Sequence, residues 1–187
     1  SALLKSARDE EGGSLPVQPP LIAYEREEGG TSWMPVSFAQ EQMLVLHSLH
    51  PESPLYNVPW CTKLQGLVDV SALRRAFGWL VRRHEVLRTV YAMDPAGVPQ
   101  QRVLPVSEYV HSIRVEHTAP IENAMSMVDE EANRGFDLLG GGPVMRVLLV
   151  CVSAEEHVLL VHTHHIATDE WSVNVMRREL GVAYPAY

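Results

Sequence analysis

Two apolar runs, separated by a short polar connection, constrain the fold of this chain more than any other feature. They cover residues 144–152 and 157–164, are rich in valine and leucine, and are joined by residues 153–156. Apolar runs of this length with many β-branched residues are typical of buried strands, and so short a connection joins antiparallel neighbours. We therefore predict that the two runs form a hairpin of central strands in a β-sheet.

Helical and extended patterns follow one another in the rest of the chain without a regular βαβ rhythm. Ser37 is predicted to cap a helix that ends near Pro51, and Ser71 to open a second helix with apolar residues at helical spacing. Further helices are predicted at 120–134 and 169–184, strands at 57–64, 86–93, 98–104 and 112–117, and a turn at 94–97. This order predicts an α/β fold, a sandwich whose mixed sheet is flanked by helices.

The composition argues against several classes of function. The 187 residues suit one domain, and the formal net charge of −8 argues against a nucleic-acid-binding protein. No apolar run approaches the roughly 20 residues of a membrane helix, and the N-terminus lacks the apolar core of a signal peptide. Cys61 and Cys151 each stand alone in an apolar stretch, which predicts two buried thiols and a reducing, cytoplasmic location.

The first 33 residues differ in composition from the rest of the chain. Residues 2–11 form a short amphipathic stretch that predicts the end of a helix. Residues 12–33 combine two Gly-Gly pairs with several prolines, which is typical of a linker. The globular domain is therefore predicted to cover residues 34–187.

The stretch 161–172, VHTHHIATDEWS, holds the chemistry-bearing residues of the predicted strand end. On a strand, His162 and His164 point to one face, whereas His165 points to the other or turns with the chain. Asp169 then begins a helix, so the cluster lies at a junction where a rigid scaffold presents a loop.

Three interpretations of this cluster stay open on chemistry alone. The histidines could be satisfied polar groups at a strand end. His162, His164 and Asp169 could be metal ligands, although the HExxH and paired CxxC signatures of zinc sites are absent. An imidazole could also exchange a proton with a substrate, since it titrates near neutral pH. The chain has no GxSxG elbow, and its cysteines lack the context of a nucleophile, so a nucleophile would have to come from a substrate. GxGxxG and P-loop motifs are also missing, which argues against simple nucleotide binding.

The stretch HHIATD at 164–169 resembles the HHxxxD motif of condensation domains of nonribosomal peptide synthetases and of their acyltransferase relatives. Four other stretches are similar to this family's motifs in the family's order, between residues 34 and 187. They are SFAQEQM at 37–43, similar to SxAQxRM with Gln42 where arginine is usual; PLYNVP at 54–59; RHEVLRTVY at 83–91, similar to RHExLRTxF; and FDL at 136–138 followed by GPVMR at 142–146.

The resemblance implies a chloramphenicol-acetyltransferase-like α/β sandwich that is one lobe of a two-lobe pseudo-dimer. It implies peptide-bond formation between donor and acceptor thioesters that carrier domains deliver on phosphopantetheine arms, with no cofactor bound directly by the domain. His165 would be the catalytic residue, as a base or by positioning the acceptor amine. His164 and Asp169 would be structural, and Arg83 or Arg88 of the second motif, with Arg83 preferred, would pair with Asp169.

Two departures from the family pattern are visible. Glu170 stands where the family usually has glycine, beside Trp171 and Ser172, which match the usual end of the motif. Glu170 is either a tolerated variation at a helix N-terminus, where an acid is favourable, or a residue that narrows and gates the acceptor channel together with its neighbours. The motifs of the family's second lobe are absent, so residues 34–187 resemble an N-terminal lobe that is expected not to condense substrates by itself.

The resemblance also implies the neighbours of this domain. Residues 1–33 resemble the tail of an upstream carrier domain and its linker. The expected partners are therefore the upstream donor carrier, the downstream acceptor carrier and adenylation domains, and the C-terminal lobe.

The motif residues separate the subtypes of the family. Heterocyclization domains have DxxxxD, recruiting relatives tend to have HRxxxD, and epimerization domains usually continue with Val-Ser-Trp, so this chain resembles an ordinary condensation domain. Two alternatives stay open. One is a non-catalytic domain that recruits a carrier or an enzyme, which Glu170 favours; the other is an acyltransferase that uses a free acceptor.

Overall fold

The computed structural model describes residues 32–109 and 113–187. Its helices are α1 (Phe38–Leu49), α2 (Val70–Arg83), α3 (Ile121–Asn133) and α4 (Glu170–Ala183). Its strands are β1 (Met34–Pro35), β2 (Asn57–Gln65), β3 (Thr89–Met93), β4 (Pro99–Val103), β5 (Ile113–His117), β6 (Met145–Cys151) and β7 (Glu156–His164). The helix end predicted at 2–11 and the linker predicted from residue 12, as far as residue 31, lie outside the described residues.

The apolar hairpin predicted from the sequence forms the middle of the main sheet. β6 and β7 pair antiparallel, from Met145 opposite Thr163 to Cys151 opposite His157, within the strand order β2-β7-β6-β5. β5 runs parallel to β6, so the sheet is mixed, as predicted. Every residue of β7 after Glu156 is buried, which matches the continuous apolar run in its sequence.

Side chains that alternate along the sheet join separate core clusters on its two faces. Val147 and Leu149 of β6 pack in the cluster that contains α2 and α4. Leu148 and Val150 pack in the cluster that contains α3, because successive side chains of a strand point to opposite faces. A third cluster joins α1 to the segment before β6 and to the loop after β7: Leu44, Tyr91, Phe136, Leu138, Val144 and Ile166. This third cluster anchors the loop that follows the hairpin.

The helix starts agree with the sequence at two places and differ at a third. Ser37 caps α1 in a capping box with Gln40, and Asp169 caps α4. The second helix was predicted to open at Ser71 but begins at Val70. Asp69 is its N-cap, because the Asp69 carboxylate accepts the backbone N–H groups of Ser71 and Ala72.

The strand predicted at 86–93 is wrong in its first half. Glu85–Arg88 form a 3-10 turn instead, in which the Leu87 N–H donates to the His84 carbonyl at 3.1 Å. The turn places the Leu87 side chain in the core cluster that contains α2 and α4. β3 then pairs with β4 around the predicted turn, and the unpredicted β1 adds a third strand to this separate sheet.

The two cysteines are less buried than predicted. Cys61 is exposed and Cys151 is half-buried. β2 is an edge strand whose side chains alternate between exposed and half-buried, so an apolar run in the sequence did not imply full burial there. None of the described helices has the length and the apolar character that crossing a bilayer requires.

Candidate functional site

The loop between β7 and α4 is fixed by the chain segments on either side of it. The His164 N–H donates to the Val144 carbonyl before β6 at 3.0 Å, and the His165 N–H donates to the Tyr56 carbonyl before β2 at 2.8 Å. The Ala167 N–H closes the turn on the His164 carbonyl at 3.0 Å. Since both histidine amides are held, the loop is positioned by the same framework that holds the sheet.

His164 is a buried, neutral ring that orients this turn. Its side chain has only 4% of its surface exposed, and its Nδ1 accepts the Ile166 backbone N–H at 3.0 Å. Nδ1 therefore carries no proton, and the neutral ring holds its proton on Nε2. Burial lowers the pKa of His164 to about 4, assisted by the nearby His47, His165 and His162.

His165 differs from its neighbour because its side chain is exposed. Its backbone is fixed by Tyr56, while its imidazole projects from the surface of the loop. An exposed imidazole on a fixed backbone can meet a substrate without displacing core residues. The sequence-predicted catalytic residue is thus accessible.

Asp169 uses its carboxylate to cap α4. Its Oδ1 accepts the Ser172 hydroxyl at 2.6 Å and the Ser172 backbone N–H at 2.7 Å. These two hydrogen bonds lower the pKa of Asp169. The carboxylate therefore fixes the junction between the loop and α4.

The arginine pairing that the resemblance implies for Asp169 is not seen in the described part of the chain. Arg83 pairs with Glu179 of α4 at 3.0 Å. Arg88 donates to the Leu104 carbonyl and pairs with Glu85 at 3.4 Å. Arg83 lies at the end of α2, which packs against α4, so the nearest carboxylate in this arrangement is Glu179.

Sequence reasoning missed Glu179, which joins the second motif to α4. Its Oε2 lies 2.6 Å from the His84 Nε2. Burial tends to raise the pKa of Glu179, but the hydrogen bonds from His84 and Arg83 outweigh it and the pKa is lowered. A signal was present: Glu179 lies beside the buried stripe of α4 that includes Met176 and Leu180, so a polar residue there faces the packed neighbour.

Comparison with known proteins identifies the family. A family model described as "Condensation domain" matches residues 31–187. The chain belongs to the condensation-domain family. Relatives include a linear gramicidin synthase of Brevibacillus parabrevis, 36% identical over 171 residues, and a dimodular nonribosomal peptide synthase of Bacillus subtilis, 36% identical over 168 residues. These matches cover 89% and 90% of this chain but only 2% and 7% of the relatives.

Solved condensation domains have the same fold. The starter condensation domain of rhizomide synthetase RzmA superposes with a TM-score of 0.75 at 20% identity, over 83% of this chain and 38% of that chain. The first condensation domain of the CDA synthetase gives a TM-score of 0.71 at 20% identity, over 84% of this chain and 40% of that chain. The predicted chloramphenicol-acetyltransferase-like fold class is confirmed.

In this condensation domain, Gln40 of the first motif ties α1 to the small sheet. Its Nε2 lies 3.3 Å from the Tyr91 hydroxyl of β3 and 3.2 Å from Gln101 Oε1 of β4. Burial raises the pKa of Tyr91 to about 12, so the phenol stays protonated. The SxAQ pattern thus combines a helix cap, Ser37, with a cross-link, Gln40. Gln42, where the family usually has arginine, is exposed.

Arg146, the last residue of the GPVMR stretch, organises the segment around Phe136. Its guanidinium lies 4.0 Å from the centre of the Phe136 ring. It donates to the Gly135 carbonyl at 2.8 Å and pairs with Glu131 at 2.7 Å. His162 Nδ1 lies 3.1 Å from Arg146 Nη2. The FDL and GPVMR stretches of this condensation domain therefore form one packed unit.

The three residues considered as possible metal ligands do not converge. His162 is fully buried beside Arg146, whereas Asp169 is exposed at the cap of α4. Among residues 32–109 and 113–187, no three His, Cys, Asp or Glu side chains are grouped as a metal ion would require.

A cavity of about 130 Å³ separates the second motif from the start of α4. Its walls are His84, Val86, Leu87, Ala167, Thr168, Trp171, Ser172, Val175 and Met176. Trp171 is 79% exposed at the rim, whereas Glu170 is exposed but does not line the cavity. Of the three residues predicted to gate the channel, Trp171 and Ser172 therefore line this cavity, whereas Glu170 does not.

Proposed function

We propose that this condensation domain takes part in forming a peptide bond between a donor and an acceptor thioester, with His165 as the catalytic residue. The observation that carries the proposal is the exposed imidazole of His165 on a backbone that Tyr56 holds at 2.8 Å. The buried, neutral His164 ring stabilises the turn by accepting the Ile166 N–H. Precise placement of one accessible imidazole is what catalysis by proton transfer or by positioning requires.

The proposed reaction forms one bond, breaks one bond and transfers one proton. The α-amine of the acceptor attacks the thioester carbonyl of the donor, a C–N bond forms, and the C–S bond breaks. One proton of the amine passes, through His165 or solvent, to the departing thiolate, which leaves as the thiol of the donor's phosphopantetheine arm. His165 either accepts this proton or holds the amine in the orientation for attack.

The substrates and partners belong to the same proposal. Carrier domains upstream and downstream would deliver the two thioesters on phosphopantetheine, and an adenylation domain would load the acceptor. The relatives that this chain matches include nonribosomal peptide synthases of which it covers 2% to 7%. We place the reaction in the cytoplasm, where a free, exposed thiol such as Cys61 stays reduced.

A second lobe would complete the site. An open groove of about 660 Å³ runs along α1 and Tyr56. Phe38 in this groove is 75% exposed, and Leu49 on the same helix is 65% exposed. Apolar surface of this kind favours a covering partner, and the solved relatives extend well beyond the matched part. We therefore expect residues 34–187 alone to form no peptide from two loaded carriers.

The test compares the full-length synthetase with its His165→Ala variant, using loaded donor and acceptor carriers. The rate of peptide formation should fall by about 10²- to 10⁴-fold, the range for a residue that transfers or positions a proton. His117→Ala is the matched control, because His117 is also an exposed histidine but lies at the end of β5. An unchanged rate for His165→Ala would exclude the proposed role.

Recruitment without catalysis is the second candidate function. It is favoured by the exposed pair Glu170 and Trp171, an acid beside an apolar ring at the surface. Under this alternative, neither the unsubstituted domain nor any of its variants forms a peptide. Trp171→Ala would then weaken binding of the carrier or enzyme, while His165→Ala would leave binding unchanged.

A further inference from the structure

Asn57, the first residue of β2, joins the PLYNVP stretch to the far end of α3. Its amide nitrogen Nδ2 donates to the Ala132 carbonyl at 2.8 Å and to the Arg134 carbonyl at 3.2 Å. These carbonyls lie 75 and 77 positions away along the chain. The side chain of Asn57 therefore connects the start of the edge strand with the end of a helix that covers one face of the sheet.

The end of α3 offers carbonyls that the helix backbone cannot satisfy. The last four carbonyls of an α-helix lack a partner within it, and α3 ends at Asn133. Asn57 donates to two carbonyls at this end, and Arg146 donates to the Gly135 and Arg134 carbonyls. Because a carbonyl oxygen only accepts, its acceptors fix the orientation of the Asn57 amide, with the NH2 group towards α3.

The side-chain oxygen of Asn57 takes no part in this contact. Oδ1 is buried and has no hydrogen-bond partner among residues 32–109 and 113–187. A buried acceptor without a donor is unfavourable. Any stabilisation by hydrogen bonds of this side chain therefore comes from Nδ2, which is the group that a substitution has to remove.

A close backbone contact beside Asn57 holds the same two parts of the chain together. Residues 51–56 lead from α1 to β2, and Gly135 follows the end of α3. A Cβ atom placed on Gly135 would lie 3.0 Å from the carbonyl carbon and the carbonyl oxygen of Glu52. The absence of a side chain at Gly135 thus allows the segment before β2 to approach the end of α3.

Tyr56 lies between these two contacts and supplies the carbonyl that holds His165. This carbonyl accepts the His165 N–H at 2.8 Å, one residue beyond the pair Asn57–His164 at the end of the β2–β7 ladder. The Tyr56 carbonyl and the Asn57 nitrogen belong to one planar peptide unit, whose N–H donates to the Pro54 carbonyl at 2.9 Å. A displacement of Asn57 therefore moves the acceptor of the His165 amide.

We infer that Asn57 is a positioning residue for His165. Its amide, together with the close contact at Gly135, fixes the peptide unit whose carbonyl holds the His165 backbone. The link from Asn57 to the loop follows from the geometry of the chain, whereas the link to catalysis rests on the proposed function.

The first test measures hydrogen exchange of the His165 amide by NMR in this chain, labelled with ¹⁵N. Asn57→Ala removes both donors, and exchange should accelerate about tenfold, as loss of hydrogen bonds of this kind predicts. Asn57→Asp keeps the shape of the side chain but places a carboxylate oxygen against two carbonyl oxygens, so its effect should be larger. Gly135→Ala, which displaces Glu52 without changing the Asn57 side chain, should accelerate the same amide.

Matched controls separate the proposed coupling from general destabilisation. Asn133→Ala also removes an amide at the end of α3, but the Asn133 Nδ2 donates to the Asp129 carbonyl within the helix, at 2.8 Å. Gly181→Ala adds a methyl group where no atom lies within 4 Å. Both controls should leave exchange at His165 unchanged, and the Leu149 amide in the centre of the sheet should keep its protection in every variant.

The alternative role for Asn57 is support of α3 alone, and the exchange of two amides distinguishes it. The Arg134 N–H donates to the Glu131 carbonyl at the end of α3, so its exchange reports on the helix. Faster exchange at Arg134 with unchanged exchange at His165 in Asn57→Ala would overturn the inference. If Asn57→Asp does not fold, Asn57→Ala and Gly135→Ala decide the question.

The second test measures peptide formation in the full-length synthetase. Asn57→Ala should lower kcat about tenfold, because a small displacement of a catalytic group is costly, and should leave KM for the loaded carriers unchanged. Asn133→Ala should leave both constants unchanged. Absence of peptide from the unsubstituted synthetase would contradict the proposed function, whereas a normal kcat for Asn57→Ala in an active synthetase would contradict the positioning role, so the two failures are distinguishable.

Discussion

His162 and His164 lie two residues apart on β7, on the same face, and differ in what surrounds them. His162 contacts the guanidinium of Arg146 at 3.1 Å, within a network that includes Glu131. His164 lies among the rings of His47, Tyr56 and Phe136, and its Nδ1 holds a loop amide. The first environment fixes α3 and the FDL segment to the sheet, whereas the second positions the loop that carries His165.

Burial is the main cause of the low pKa of both histidines, about 4 in each case. The same charge state therefore serves two purposes. At His162 a neutral ring avoids repulsion with Arg146, and at His164 a neutral ring keeps Nδ1 free to accept a hydrogen bond. A shifted pKa alone did not distinguish the histidine of the Arg146 network from the one that holds the loop of His165.

The largest effect on stability is expected in the environment of His162, the network of Arg146 and Glu131. Glu131→Ala should lower the free energy of unfolding by up to about 3–5 kcal/mol, because it leaves the half-buried Arg146 without its carboxylate. Glu131 is 5% exposed and also pairs with Arg134 at 2.8 Å. Denaturant unfolding measures this change, with Glu116→Ala as the matched control, since Glu116 forms a more exposed ion pair, with Arg114 at 2.8 Å. A loss for Glu131→Ala as small as that of the control would show that the network contributes little.

The pH dependence of stability is the next test, and both histidines should contribute equally to it. Each has a folded-state pKa of about 4, below the value of about 6.5 expected in the unfolded chain. The unfolded chain therefore binds more protons between these values, so stability is complete above about pH 6.5 and falls as the pH falls towards 4.

Each histidine should account for roughly 3 kcal/mol of this loss. The measurement is urea unfolding at several pH values for the unsubstituted chain, His162→Leu and His164→Leu. Either substitution should remove its share of the slope between pH 6.5 and 4. A slope that survives in both variants would assign the acid sensitivity to other groups.

At pH 7 the same two variants should differ from each other. His164→Leu should cost about 1–3 kcal/mol, because the buried Ile166 N–H loses its acceptor. His162→Leu should cost less than about 1 kcal/mol, since Arg146 keeps the Gly135 carbonyl and Glu131 as partners. Unfolding at pH 7 and hydrogen exchange at Ile166 give the two quantities. A reversed order would mean that His162, and not His164, carries the more demanding role.

The sequence predicted those parts of the molecule whose causes are local. The apolar hairpin, the Ser37 and Asp169 caps and the placement of His162 and His164 on one face of a strand all follow from patterns within a few residues. The turn at Glu85–Arg88 did not, because a short run of mixed residues is equally compatible with a strand until Leu87 has a core to enter.

The sequence did not predict which polar side chains pair when they lie far apart along the chain. Arg83 was expected to meet Asp169 but pairs with Glu179, a residue 96 positions away, and this choice depends on how α2 packs against α4. The family resemblance supplied the role that we propose for His165, which spacing alone left open between a strand end and a catalyst.

The smallest expected effect concerns Glu170, at the first position of α4. Glu170→Gly should lower stability by about 1 kcal/mol, because glycine is a poor helix former and the favourable charge at the helix N-terminus is lost. Glu170 is exposed and does not line the 130 Å³ cavity that Trp171 and Ser172 border. This placement favours a role in the helix over a role as a gate. Thermal unfolding of this chain should therefore change slightly, with Glu170→Gln as the control that keeps the side chain but removes the charge.

The gating interpretation makes the opposite prediction for activity. If Glu170 narrows the acceptor channel, Glu170→Gly in the full-length synthetase should change the relative rates with small and large acceptors, and Trp171→Ala should shift the same preference. If Glu170 only supports the helix, peptide yields with a series of acceptors should keep their ratios. Equal ratios would leave Trp171 and Ser172, which line the cavity beside the loop that carries His165, as the candidates for contact with a substrate in this segment.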